Sequence, residues 1–383
     1  MNEQEFIEDH KHETIAKLAL TLSKKPELDS VFILAQINGI QKAKNKLPEF
    51  YNNPDIIYPS KLSMEQSSSE ETALYKSKLF TGNSLIDLTG GFGIDSFYFS
   101  KQFKNVTYIE KNQELFKIVK SNFQKLEANN IDLVNTTAEE FLSTTNKIVD
   151  VVYIDPSRRI ETQRVFKLDE CTPNIIELAP EIFKLADKIL VKTAPLLDIK
   201  QSLKDLIYIS KVWVISVDND CKEVLYLMEK GTSIEPEINT INLTKTDQEY
   251  SFNYEQEQNA QASYSEPLKY LYEPNASILK AGAFNSICLS YKVEKIAPNT
   301  HLYTSEKLIE NFPGRTFKIE QTLPYSPKDF KKLSITKANV SCRNFNHKPE
   351  QVKKKLKLKD GGDIYLFAST NYNNQAILIV GRK

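Results

Sequence analysis

Apolar residues recur along this chain with two different periods, and the change falls near residue 84. Before it, helical spacing dominates. Phe6 to Leu22 and Val31 to Lys46 each place apolar side chains three and four apart. Pro48, Pro54 and Pro59 then interrupt the pattern, because proline cannot continue a helix interior. Gln66-Ser67-Ser68-Ser69 follows, and Glu71 to Leu79 reads as a helix leading into a sheet. From Ser84 onward, short apolar runs alternate with amphipathic stretches. The runs predict strands at 84–88, 105–110, 131–135, 149–154, 187–192, 211–217 and 224–229. The stretches between them predict helices at about 95–102, 112–129, 138–143, 173–185 and 198–207. Such alternation implies an α/β fold with a doubly wound parallel sheet.

Past residue 243 the alternation weakens. Thr244 to Ser265 is rich in Gln, Glu, Asn and Tyr. It reads as a boundary or as part of a β-hairpin, since apolar runs at 238–243 and 250–254 flank a polar turn. Residues 268–321 predict a helix, strand-like runs at Ile287–Tyr291 and His301–Thr304, and a short helix near Ser305. Glu273-Pro274-Asn275-Ala276 reads as a helix start capped by Asn275, with Gly282 as its stop. The last part predicts helices at Lys328–Leu333 and Pro349–Lys357 and strands at Ala338–Arg343, Ile364–Ala368 and Ala376–Gly381. Four segments follow: a helical N-terminal part (1–80), an α/β domain (81–243), a linker with a small α+β unit (244–322), and a C-terminal module (323–383).

A chain of 383 residues is long enough for two or three domains. No apolar run approaches the ~20 residues that a membrane span needs. The start, Met1-Asn-Glu-Gln-Glu-Phe, is acidic and lacks the basic and apolar regions of a signal peptide, so a cytoplasmic location is expected. Cys171, Cys221, Cys288 and Cys342 are widely spaced and form no C-x-x-C, and the four histidines do not cluster. Neither a metal site nor a disulfide framework is expected.

Charge changes the picture more. The chain is neutral overall, yet residues 323–383 hold thirteen Lys/Arg against four Asp/Glu. A basic module on an otherwise acidic chain points to a polyanion partner, and its lysines are interleaved with Phe330, Phe345 and Tyr365. RNA, tRNA or rRNA, is the expected partner, with Arg343, Lys353 and Lys357 as contacts. On a helix from Pro349, Lys353 and Lys357 would share one face. A solvated lysine-rich face is the plainer alternative.

The densest chemistry lies at Leu85-Ile86-Asp87-Leu88-Thr89-Gly90-Gly91-Phe92-Gly93-Ile94-Asp95. A buried strand ends in an acid and runs through three glycines into a helix. Such a turn lets a ligand approach the backbone where a Cβ would clash, at the strand end where α/β sheets bind nucleotides. A second acid, Glu110, closes the next strand and can accept both ribose hydroxyls. The spacing G-G-x-G-x-D does not fit the dinucleotide fingerprint G-x-G-x-x-G. Asp87 would repel a diphosphate and attract a cation, which favours S-adenosylmethionine with its sulfonium and ammonium.

Further on, Val149 to Ile154 is a fourth buried strand ending in Asp155-Pro156-Ser157-Arg158-Arg159. Asp87 to Gly93, Glu110 and Asp155-Pro156 resemble three motifs of the class I S-adenosylmethionine-dependent methyltransferases. Nearly the whole chain resembles one bacterial branch with a C-terminal THUMP-like domain. The likeness extends to 62–73, Tyr272-Glu273-Pro274-Asn275 and 337–345. It implies a Rossmann-like seven-stranded sheet with a reversed last strand, a helical segment before it, and small ferredoxin-like and THUMP-like α+β modules after it.

By that resemblance, Asp87, Gly90, Gly91, Phe92, Gly93, Asp95 and Glu110 hold the cofactor. Gln66 and Ser67 reach its methionine tail, the alternative for this serine run being helix capping by Ser68 or Ser69. Thr137 and Ala138 read the adenine edge, or Thr137 caps a helix. Asp155, Pro156 and Arg158 stand at the catalytic mouth. Amino-nitrogen methylases of this class carry a second proline and an aromatic residue where this chain has Ser157 and Arg158. An arginine plane can also stack on a base. Arg158 and Arg159 otherwise clamp a phosphate or pair with Glu161 or Asp169. The expected activity is methyl transfer to structured RNA; a protein or small-molecule acceptor and a non-catalytic binding protein are the alternatives.

Overall fold

The computed structural model describes residues 2–157 and 167–383, with the backbone of 159–160 and 163–164. The chain forms two compact units: Met1–Ser210 with Val224–Ser233, and Lys211–Glu223 with Ile234–Lys383. Among the described residues, no helix is long and apolar enough to cross a membrane.

The first unit opens with helices Glu3–His10, Ile15–Leu22 and Ser30–Lys46, which bury Phe6, Leu18, Leu22, Ile33 and Ile37 together. The run from Phe6 to Leu22 is thus two helices and not one. Residues 11–14 are polar and offer no face to bury, and Thr14 takes extended backbone ahead of the second helix. Two buried amides fasten the irregular stretch that follows. Gln36 bonds the backbone N–H and C=O of Tyr58, and Asn122 does the same for Ile57.

Strands β1 (Gly82–Asp87), β2 (Phe103–Ile109), β3 (Ile131–Val134) and β4 (Val151–Ile154) follow. A short pair, β5 (Arg159–Ile160) and β6 (Gln163–Arg164), precedes β7 (Lys188–Thr193). The parallel order is β7-β4-β1-β2-β3, with helices Ile94–Ser100, Gln113–Lys125 and Ala138–Thr144 in the crossovers. β8 (Ile209–Val217) and β9 (Asp220–Glu229) follow in the chain, and Val224–Glu229 runs antiparallel to β7. All seven strands expected from the pattern are present, with the last one reversed. The strand ends of β1, β2 and β4 therefore lie side by side, which is what positions the candidate site.

In the second unit, β10 (Glu237–Leu243) pairs parallel with β8, and β11 (Gln248–Phe252) pairs antiparallel with β10. The polar stretch after residue 243 is therefore a hairpin turn and a short helix, Tyr254–Asn259. A second sheet contains β12 (Tyr270–Pro274), β13 (Glu294–Lys295), β14 (Tyr303–Ser305), β15 (Gly314–Pro324), β16 (Asn339–Arg343), β17 (Tyr365–Thr370) and β18 (Ala376–Arg382). Its order is β13-β14-β12-β15-β18-β17-β16. β15 pairs with β12 through its first half and with β18 through its second, across a bulge between Ile319 and Gln321. One continuous sheet thus spans what the sequence divides into two modules.

Two local expectations fail here. Ile287–Tyr291 belongs to a helix, Ser286–Tyr291, in which Ile287 and Cys288 are buried and Leu289 is exposed. Its N-terminal amides are held by the Glu257 carboxylate, which accepts from the N–H groups of Phe284, Asn285 and Ser286. Ser305 ends a strand and starts no helix.

Candidate functional site

β1 delivers Asp87 to the bottom of a tight turn. Its side chain is buried, and both oxygens are occupied: Oδ1 accepts from the Thr89 N–H at 3.0 Å and Oδ2 from the Ser96 hydroxyl at 2.5 Å. Burial pushes its pKa up to about 7; the Ser96 and Thr89 hydrogen bonds oppose this, and the charges of Asp95 and Asp155 add to it. Asp87 therefore ties the turn to the helix that follows.

The glycines differ in what they do. A Cβ on Gly90 would stand 2.1 Å from the Tyr108 ring. Gly93 has φ +78°, caps the helix Ile94–Ser100, and packs where a Cβ would meet Phe123 at 2.7 Å. Gly91, at φ +54°, has open space: a Cβ there would find only the Thr89 oxygen at 3.7 Å. Phe92 is buried against Phe50 and Tyr58 and anchors the turn from behind.

Glu110 follows β2. Its Oε2 accepts from the Gly91 N–H at 3.0 Å, and its Oε1 from the Asn112 N–H at 2.7 Å. The carboxylate is thus held in one place beside the open face of Gly91. After β3, Thr137 caps the helix Ala138–Thr144, its hydroxyl accepting from the Glu140 N–H at 3.1 Å, and Ala138 is buried. The capping alternative for Thr137 is realised.

Asp155 follows β4. Its N–H donates to the Thr89 hydroxyl at 2.6 Å, which joins the two strand ends, and Pro156 is buried behind it. Arg158 lies outside the described residues. Ser157 pairs with Thr172 through two backbone hydrogen bonds of 2.7 and 3.0 Å.

Three residues not singled out from the sequence, Lys192, Lys76 and Tyr153, meet Asp95 and Ser68 here. Lys192, on β7, places its Nζ 2.6 Å from Asp155, 3.3 Å from Asp95 and 2.9 Å from the Ser68 hydroxyl. Lys76 lies 3.1 Å from Asp95 and 3.0 Å from the same hydroxyl. Tyr153 donates to Asp95 at 2.8 Å. Burial alone would raise the Asp95 pKa, but the Lys76 and Lys192 ammoniums with Tyr153 and Ser68 hold it well below the usual carboxylate range. Burial keeps the Asp155 pKa above that range, against the pull of Lys192. Of the serine run, Ser68 joins these charges and Ser69 caps the helix Glu70–Lys78, whereas Gln66 is exposed and the Ser67 hydroxyl bonds the Met64 carbonyl.

In the second unit, the basic residues stand differently from the sequence expectation. Arg343 is paired with Glu273 at 2.6 Å, and Arg315 holds the other oxygen of that buried carboxylate. Lys353 pairs with Asp360 at 3.2 Å and is only 22% exposed. The helix from Pro349 ends at Leu356, and Lys357 caps it in a left-handed conformation at φ +58°. Lys353 and Lys357 therefore do not share a helix face. Lys354, Lys355 and Lys357 are exposed, as are the flanking Lys348 and Lys359, and Lys355 lies 4.6 Å over the Tyr325 ring. Among the described residues no group of His, Cys, Asp and Glu is arranged to hold a metal ion.

Three segments match known families: residues 73–169 a family described as conserved hypothetical protein 95, residues 270–313 a ferredoxin-like domain, and residues 314–383 a THUMP-like domain. The structure is similar to the crystal structure of a candidate methyltransferase from Porphyromonas gingivalis W83. The two share 30% identity over 100% of this chain and 97% of the other, with a TM-score of 0.88. Ribosomal RNA small subunit methyltransferase J of Francisella tularensis subsp. novicida is 32% identical over 81 residues, 19% of this chain and 34% of its own length. A cobalt-precorrin-6B C(15)-methyltransferase of Sulfurisphaera tokodaii is 27% identical over 110 residues, 28% of this chain and 57% of the relative. The chain thus spans about a third of the first of these relatives and just over half of the second.

Proposed function

The chain belongs to the class I S-adenosylmethionine-dependent methyltransferases that carry a C-terminal THUMP-like domain, and on that premise we propose that it methylates structured RNA, tRNA or rRNA, with S-adenosylmethionine as donor. The observation that carries this reading is the Gly91 face. A left-handed glycine with free space at its Cβ position adjoins a carboxylate pinned by two backbone amides. Such a cradle suits a ribose lying against bare backbone, with Glu110 accepting from its hydroxyls.

The donor, when bound, supplies a methyl group on a good leaving group, so positioning matters more than acid–base force. Asp87 and Ser96 keep the turn closed, and the backbone of Gly90, Gly91, Phe92 and Gly93 lines the site. Asp95 fixes the first helical turn beside it. Gln66 and Ser67 stand at the methionine side, and Thr137 and Ala138 at the adenine side. Asp155 and Pro156 face the acceptor; Arg158, assigned to the same role from the sequence, lies outside the described residues. Of the RNA contacts proposed from the sequence, Arg343 and Lys353 give way to Lys354 and Lys355, and Lys357 is kept on its exposure. An RNA substrate also suits a cytoplasmic enzyme.

Two features support RNA in particular: the basic THUMP-like end, and the partial likeness to a protein named as a ribosomal RNA methyltransferase. The partial likeness to a cobalt-precorrin methyltransferase supports a small-molecule acceptor as a second reading. Calorimetry with S-adenosylmethionine and with NAD tests the cofactor assignment; binding of NAD alone overturns it. Mass spectrometry of nucleosides from a strain lacking the gene tests the substrate. A missing methylated nucleoside supports RNA, and an unchanged profile favours the second reading.

A further inference from the structure

We propose that Lys192 is the residue that positions Asp155 and keeps it charged as the proton acceptor facing the methyl acceptor, and that Ser68, Lys76 and Asp95 fix Lys192 for that task. The proposal rests on the methyl-transfer reading above.

Its ground is geometry. β4 and β7 are parallel neighbours with Ile154 opposite Val191, so Asp155 and Lys192 are the next pair in the same row. Their side chains meet at 2.6 Å. Behind them the charges alternate: Lys192, then Asp95 at 3.3 Å, then Lys76 at 3.1 Å, with the Ser68 hydroxyl bridging both ammoniums. Two cations balance two anions. Side-chain exposure rises along the row from 0% at Lys76 to about a tenth at Asp95 and Lys192 and 30% at Asp155. Only the last member of the row presents its charge outward.

Stability alone gives no reason for such a row. A buried ion cluster seldom stabilises a fold more than apolar residues of the same volume would. A carboxylate that must stay ionised while half-buried does need a fixed cation beside it. A nitrogen acceptor that bears hydrogen sheds a proton on methylation; Asp155 takes it and releases it to water.

The groups facing Asp155 among the described residues are Lys192 from β7, Asp95 from the helix Ile94–Ser100, Lys76 from the helix Glu70–Lys78, and Asp87 from β1. Burial and Asp95 raise the Asp155 pKa, and Lys192 and Lys76 lower it. Removing Lys192 therefore moves the titration of Asp155 to higher pH.

The test uses Lys192→Met and Lys192→Arg in the full chain. Three properties are measured: the pH dependence of single-turnover methylation, S-adenosylmethionine affinity, and the Asp155 carboxyl band in the cofactor-free protein. That band is isolated by infrared difference against Asp155→Asn. For Lys192→Met, the acid limb and the carboxyl midpoint should both move up by about one unit or more, a tenfold rate loss at a fixed acidic pH. Affinity should stay within about twofold. Lys192→Arg should return both midpoints to near the wild-type values. Unmoved midpoints in a folded Lys192→Met protein overturn the proposal and leave a structural ion pair. If Lys192→Met does not fold, the double variant Lys192→Met/Asp155→Asn should fold, because no unpaired carboxylate remains. Failure of the double variant also overturns the pairing. Loss of cofactor binding by the wild type defeats the methyl-transfer reading instead, and leaves the infrared result to judge the pair by itself.

Discussion

Replacing Gly91 by Ala separates the fold of the turn from its use. Gly91 has φ +54°, and an alanine there pays only for the left-handed backbone, about 1–2 kcal/mol. Nothing is struck, since the nearest heavy atom to the new Cβ is the Thr89 oxygen at 3.7 Å. In a chain of this size the melting temperature should fall by a few degrees. Gly93→Ala is the control. It carries the same backbone strain at φ +78° and also drives a Cβ to 2.7 Å from Phe123 and 2.9 Å from Val119. Overpacking adds about 1–3 kcal/mol, so the loss should reach roughly 2–5 kcal/mol. Binding should rank the other way. The Gly91→Ala methyl fills the space where ligand meets backbone, and S-adenosylmethionine affinity should drop at least about tenfold, roughly 1.4 kcal/mol. Denaturant melts and calorimetry on both variants give the answer. A Gly91→Ala protein that is folded and binds with wild-type affinity would refute the assignment of this face to the cofactor.

Asp87, raised to about 7 in the fold, binds its proton more tightly folded than unfolded. Its contribution is present below the ordinary carboxylate pKa near 3.8 and is lost as pH rises through about 7. Stability should therefore show a downward component over that window, which Asp87→Asn abolishes; identical pH–stability slopes in the two proteins count against a buried, proton-holding Asp87. Glu273→Ala leaves Arg315 and Arg343 without their shared carboxylate and should cost about 3 kcal/mol in a denaturant melt, and a loss under 1 kcal/mol would mean the pairs are solvent-screened. Neutralising Lys354 and Lys357 together should flatten the salt dependence of tRNA binding by about one to two contacts, while neutralising Lys353, already paired with Asp360, should change it less. Equal slopes in all three proteins would take RNA off this segment.

What the sequence disclosed and what it hid follow from range. The turn from Asp87 to Gly93 and the acid at Glu110 are legible because a strand end, glycines and an acid are local signals. Lys192 is not: its partners Ser68 and Asp95 lie 124 and 97 residues away. The available signal was a lysine closing the apolar run Ile189-Leu190-Val191, where a charge ends up buried. The helix at Ser286–Tyr291 was hidden for a related reason, since a five-residue apolar run fits either period and Glu257 decides it from 29 residues upstream. β15 loses its alternation at the bulge after Ile319, so the shared sheet of the second unit left no clean period-two trace. Lys357 ends its helix in a left-handed conformation usually given to glycine, and no residue type there announced the stop.

The proposed methyl transfer from S-adenosylmethionine to RNA puts Asp155 at the reacting end. The most direct measurement supplies methyl-tritiated S-adenosylmethionine and the full chain to total RNA from a strain lacking the gene, with Asp155→Ala run in parallel. Label should enter one RNA size class with the wild type and be at least about a hundredfold lower with Asp155→Ala, although both proteins bind the cofactor. Label appearing only in the protein or small-molecule fraction, or equal RNA labelling by both proteins, would contradict it.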